Sequence, residues 1–123
     1  LSEIRATTIS DSAGTGPITL TGQSAAKAWV SFDQSTGLVV NNSLNISSSV
    51  DVAGALSSHN FTNSYTDLYY TKSAGGANGT ISGSQYEAEA WAIDAGSFYV
   101  YGHWQTTAYD LRYVSGTTHG DLA

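Results

Sequence analysis

The sequence has no cysteine, a single proline at Pro17, and few charges: four Lys and Arg against ten Asp and Glu among 123 residues, for a net charge of −6. Without cysteine there are no disulfide staples and no thiolate metal sites. Four basic residues are too few to neutralise a phosphate backbone, which removes nucleic acid from the expected partners. No apolar run approaches the ~18 residues of a membrane-crossing helix. Leu, Ile, Val and Phe together number only 24, a scarcity that ordinarily accompanies disorder in a net-charged chain. Neither a basic n-region nor an apolar h-region follows Leu1-Ser2-Glu3, so the start reads as a processed product or a segment of a longer polypeptide.

The aromatics answer the question of disorder. Eight Tyr and three Trp carry much buried area per residue, enough to complete the core of one domain of this length. Ser, Thr, Gly and Asn fill 51 positions, while three Glu and two Lys leave little to coat a helix; helical surfaces are built from such residues. The composition predicts an all-β domain, an antiparallel β-sandwich or meander of short strands with a neutral polar surface. Residues 1–22 are expected as an extended N-terminal segment and 23–123 as the β-sandwich.

Along the chain, Asp11 to Pro17 is a turn cluster, and Ala26 to Asp33 reads as a strand with Trp29 opposite Val30 and Phe32 on the pleat. Ser43 to Ser64 is polar enough to hold a long loop. Asn60 to Asn63 and Asp67 to Thr71 are short strand candidates, and Gly75-Gly76-Ala77-Asn78-Gly79 is a hairpin signal. Glu87 to Ile93 alternates, with Glu87, Glu89, Trp91 and Ile93 on one face and three alanines on the other. Its Ala and Glu also suit a helix, but flanking Gly83 and Gly96 and the aromatic strand Ser97 to Trp104 favour β. Asp110 to Val114 is expected as the last strand, before a Gly-Thr-Thr-His-Gly tail.

Few groups suggest chemistry. Glu87 and Glu89 share a strand face, about 6–7 Å apart, a separation that paired glycosidase carboxylates use. Side by side on one strand, however, they point in parallel and do not flank a bond, so they read first as solvated rim residues. His103, His119, Asp110 and Asp121 match no metal-ligand spacing, and Gly14-x-Gly16 is not a dinucleotide fingerprint. The expectation is no catalytic residue, no metal and no cofactor. Four glycosylation sequons, at Asn41, Asn45, Asn60 and Asn78, arise readily in a chain with 32 Ser and Thr. Tyr99 and Tyr101 share one face of their strand, opposite Phe98 and Val100, so one face is core and the other is open to a partner or a sugar. With Trp104, Tyr109 and Tyr113 they form the candidate recognition or subunit-interface surface.

The segments Ala6-Thr7-Thr8-Ile9-Ser10-Asp11-Ser12-Ala13-Gly14-Thr15-Gly16-Pro17 and Ser24-Ala25-Ala26-Lys27-Ala28-Trp29-Val30-Ser31-Phe32-Asp33 resemble a domain of phage and prophage tail-fibre-like virion proteins. Asn42 to Ser48, Asn60-Phe61-Thr62 and the ending Gly120-Asp121-Leu122-Ala123 are similar to later parts of that family. The ending implies that the chain stops at its natural terminus. Where the family has an Asp-Asn-Gly-Thr-Gly-Asp turn, this chain has Asp51-Val52-Ala53-Gly54-Ala55. The resemblance implies a non-enzymatic structural protein of the virion, located in a tail or other surface appendage and contributing to host attachment. Fibre proteins are typically parallel homotrimers, so the expected partners are further copies of the chain, other virion proteins and a host surface glycan or protein. The family has no catalytic residues to transfer. The alternatives are a capsid-decorating or tail-assembly protein without a receptor, and a polysaccharide depolymerase domain using Glu87 or Glu89.

Overall fold

The structure is a computed structural model that describes residues 26–78 and 86–123. The expected N-terminal segment 1–22, the Asp11–Pro17 turn cluster and most of the 6–33 motif lie outside the described residues. Nine strands are described: β1 (Ala28–Asp33), β2 (Val39–Leu44), β3 (Ile46–Ala53), β4 (Leu56–Phe61), β5 (Thr71–Ala77), β6 (Tyr86–Asp94), β7 (Ser97–Trp104), β8 (Thr107–Ala108) and β9 (Tyr113–His119). They form two antiparallel sheets, one ordered β2-β1-β9-β5 and the other β3-β4-β7-β6, with β8 pairing the end of β7. The all-β sandwich reading holds.

Alternation decides which sides meet. Ala28, Val30 and Phe32 of β1 and Phe98 and Val100 of β7 are buried, while Trp29 and the two tyrosines Tyr99 and Tyr101 point the other way. Phe61, Tyr65, Tyr70, Leu111 and Val114 complete the core. The rings pack as a herringbone: Phe61 stacks on Phe98 at 5.4 Å, Tyr65 on Tyr70 at 4.4 Å, and Phe61 meets both tyrosines edge-on. This is how so few aliphatic residues suffice. Facing the rings are small residues, Ala88, Ala90 and Ala92 of β6 and Gly116 of β9.

Several segments differ from the sequence reading. Gly75, Gly76 and Ala77 are not a hairpin turn but the end of β5, paired with β9. A Cβ on Gly76 would lie 2.4 Å from Leu111 Cδ1 and 3.2 Å from Ala88 Cβ, so glycine is there for close packing, not for a turn. Residues 43–64 hold no long loop: β3 and β4 form a hairpin through Gly54 and Ala55. The supposed tail is β9, a central strand between β1 and β5; Asp110 to Arg112 precede it, and Asp67 to Tyr70 are loop ahead of β5.

The chain changes sheets at Asn45. With φ 56°, a left-handed conformation that Asn tolerates better than most residues, it bends one apolar-polar run into β2 of one sheet and β3 of the other. Its side chain holds the bend: Nδ2 donates to the Asn63 carbonyl (2.9 Å), and Oδ1 accepts from the Asn63 amide (2.7 Å).

Candidate functional site

The register places a row of side chains across the open face of the five-stranded sheet. Val50 is opposite Ser58, Ser58 opposite Tyr99, and Tyr99 opposite Trp91; one step along, Leu56, Tyr101 and Glu89 form a second row, and His103 faces Glu87. Adjacent strands lie ~4.8 Å apart, so these residues are contiguous. Trp91 lies 5.6 Å from Tyr99 and 6.3 Å from Tyr101 between ring centroids, tilted by 59° and 53°. The residue is 38% exposed although it sits mid-strand. Nothing described covers it.

Beside the rings are two carboxylates and an imidazole. His103 is buried, with Tyr101 stacked on it at 5.8 Å. Its Nδ1 donates to the Gln105 carbonyl at 2.7 Å, because a carbonyl can only accept. Nε2 therefore points at the acids, 3.4 Å from Glu89 Oε1 and 3.9 Å from Glu87 Oε2, without a hydrogen bond. The Glu87 and Glu89 side chains remain about two-thirds exposed, at 69% and 64%. Both carboxylates thus reach toward one imidazole from the same side of the strand, within ion-pair distance of it when it is protonated.

The five residues singled out from sequence separate into three places. Tyr99 and Tyr101 are at the centre of the open face. Trp104 and Tyr109 lie at the end of the sandwich, where Trp104 is opposite Tyr86 and Tyr109 packs on Tyr86 at 5.3 Å while accepting a bond from Asn78 Nδ2. Tyr113 is on the outer face of the other sheet, beneath the Arg112 guanidinium. There it borders a shallow depression of about 320 Å³ lined by Ser31, Asn41, Gly75 and Ser115. Trp91, the missing centre of the cluster, was legible as a face-sharer with Glu87 and Glu89, but its cross-strand partners depend on register.

The candidate metal residues do not converge. Asp110 Oδ1 accepts from the Ala55 amide in the β3–β4 turn at 2.8 Å, which holds a non-glycine residue at φ 64°. His119 is in β9 on the opposite sheet, and the Asp121 carbonyl accepts from the Thr66 amide. Among the described residues no group of three His, Cys, Asp or Glu is placed to hold a metal ion.

No family model, curated protein or solved structure matches the chain.

Proposed function

We propose that the chain is a non-enzymatic virion module of the phage tail-fibre type, using the open face of its five-stranded sheet for host attachment. The observation that carries this reading is the uncovered Trp91–Tyr99–Tyr101 cluster. Isolated exposed apolar residues are ordinary, but a contiguous aromatic cluster marks a contact surface. Tyr and Trp give large, stiff contact area at small entropic cost, and the Ser and Asn around them supply adaptable hydrogen bonds. The resemblance at residues 6–33 supports a virion appendage as the location. Copies of the chain, other virion proteins and a host surface glycan or protein are the partners, and neither cofactor nor metal takes part.

Adsorption of the fluorescently labelled chain to a panel of bacterial strains tests the reading. Trp91→Ala, and separately Tyr99→Ala with Tyr101→Ala, should lower cell binding at least tenfold while leaving the thermal midpoint within a few degrees. Cell binding that survives both variants overturns the role of this face. Incorporation into virions without any cell binding identifies an assembly or decoration protein instead. Release of sugar from a host polysaccharide, lost in Glu87→Gln and Glu89→Gln, identifies a depolymerase.

A further inference from the structure

The aromatic rings and the charged side chains of the open face are mostly electron-rich. Three ring faces carry negative quadrupole potential, and two exposed carboxylates stand beside them. The one polar group that lies buried among them, His103, presents an Nε2 without a hydrogen-bond partner toward those acids. Its other nitrogen is already committed to the Gln105 carbonyl. Beyond His103, no Lys or Arg of the described residues stands at this face. Lys27 precedes β1, Lys72 is in β5 with its ammonium 4.9 Å over the Tyr70 ring, and Arg112 precedes β9 with its guanidinium over Tyr113. All three lie on or immediately beside strands of the four-stranded sheet. The Lys and Arg side chains of the described residues thus gather on one half of the molecule, and on the aromatic face of the other half two exposed carboxylates share a single imidazole, His103.

We infer that the ligand of this face is a glycan carrying free amino groups, its sugar ring laid on Trp91 and its ammonium held by Glu89 and Glu87 against Tyr101. The chemistry of each part selects this class. The apolar face of a pyranose stacks on an indole or phenol ring, which Trp91 and Tyr99 offer at 38% and intermediate exposure. An ammonium is attracted both by carboxylates and by the ring face of an aromatic residue, and Glu89 lies directly opposite Tyr101 in the register. Ser58, opposite Tyr99 on the far side, is placed for a sugar hydroxyl. An acidic or sulfated glycan would meet Glu87 and Glu89 as like charges. An N-acetylated sugar would keep the stacking and lose the ion pair. The inference rests on the attachment reading and names its ligand.

The test is calorimetric titration of the 123-residue chain with a β-linked glucosamine hexamer and, in parallel, the fully N-acetylated hexamer, at 50 and 300 mM salt. The expected result is at least tenfold tighter binding of the free-amine oligomer at low salt, narrowing at high salt because exposed charges are screened. Glu89→Gln should remove most of that preference, and Trp91→Ala should weaken both oligomers. Equal affinities for the two oligomers, or a preference unchanged by Glu89→Gln in a variant with native circular dichroism, overturn the inference. The cell-adsorption assay separates the two levels. Adsorption that depends on Trp91 but not on Glu89 leaves the attachment reading standing and removes the amine. Amine-selective binding by a chain that adsorbs to no strain supports the ligand class and removes attachment.

Discussion

His59 occupies a place where a sandwich core ordinarily holds an aliphatic side chain. It is fully buried between Phe32 and Phe98, with ring centroids at 4.7 and 5.3 Å. Two serines make the burial tolerable. The Ser57 hydroxyl donates to the Val100 carbonyl at 3.4 Å, so it accepts from His59 Nε2 at 2.9 Å, and Nδ1 accepts from the Ser49 hydroxyl at 2.8 Å. A neutral imidazole is satisfied on both sides, whereas a second ring proton would displace the Ser49 donor. Burial accordingly pushes the imidazole down to about 4 from its ordinary value of 6.5. The unfolded chain takes up a proton near 6.5 and the folded chain does not until about 4. This contribution to stability is therefore whole above pH 6.5 and is lost as the pH falls toward 4. At 1.36 kcal/mol per unit, the loss between pH 7 and pH 4.5 is about 2–3 kcal/mol. Urea unfolding followed by tryptophan fluorescence at the two pH values measures it. His59→Gln, which keeps a donor and an acceptor, should lose most of this pH dependence; an unchanged acid slope in that variant would assign the effect elsewhere. Asp33 does not confuse the result. Ser35 hydrogen bonds hold its carboxyl below the ordinary 3.8, so its contribution is lost only at pH values under this window.

Among the elements, the β2–Asn45–β3 ribbon depends most on one residue. A left-handed φ costs a non-glycine residue about 1–2 kcal/mol, and each side-chain hydrogen bond returns about 1 kcal/mol. Asn45 is therefore close to balanced, and its substitutions should separate the two effects. Asn45→Gly keeps the bend and loses the Asn63 bonds but also removes the cost of the left-handed φ, for a net loss of about 0–1 kcal/mol. Asn45→Ala loses the bonds and has no side-chain compensation for its φ, costing about 1 kcal/mol more. Denaturant midpoints of the three proteins check the order, and an alanine variant as stable as the glycine one would show that the bend relaxes. The same ribbon shows what the sequence could reveal. Strands whose two faces differ were legible: β1, with Val30 and Phe32 against Trp29, from alternation alone, and β6, with alanines against Glu87, Glu89 and Trp91, from alternation together with its flanking Gly83 and Gly96 and the aromatic strand beside it. Segments whose inner face is glycine, alanine or hydroxyl were not. Gly76 on β5 and Gly116 and Thr118 on β9 look like turn or tail residues, and only the rings and Leu111 packed against them explain their size. The polar core members were missed for the same reason, since His59 is recognisable as buried only once Ser49 and Ser57 are beside it. The site was half legible: Tyr99 and Tyr101 sharing a face is local, whereas Trp91, Glu89 and His103 meet them only through cross-strand register.

At the scale of the whole molecule, the sandwich leaves more apolar surface open than its core would suggest. Val39, Val40, Leu44, Val50 and Val52 are all more than a third exposed, and all are on the ribbon formed by β2 and β3. Each of these strands ends its sheet among the described residues, so the ribbon also presents backbone donors and acceptors with no strand beyond them. Free strand edges with apolar side chains invite pairing between chains unless they are blunted by charge or proline, and this ribbon carries only Asp51. A trimer about a three-fold axis, proposed with the fibre reading, would bury three such ribbons against their neighbours while leaving the acidic aromatic face outward. Light scattering at micromolar concentration should then give three times the chain mass of 12.9 kDa. Val39→Lys combined with Leu44→Lys, both exposed on β2 and away from the aromatic face, should shift the species toward monomer, because three added pairs of like charges would meet at the ribbon. Apparent stability should fall with dilution in the native chain and lose that dependence in the double variant, since association stabilises only the folded state. A native chain that stays monomeric up to 100 µM, with a concentration-independent unfolding midpoint, would refute the trimer. Glycan titration on the double variant then completes the argument: if the open face of each sandwich is self-sufficient, monomers keep the single-site affinity and lose only the gain from multivalent display on a cell surface.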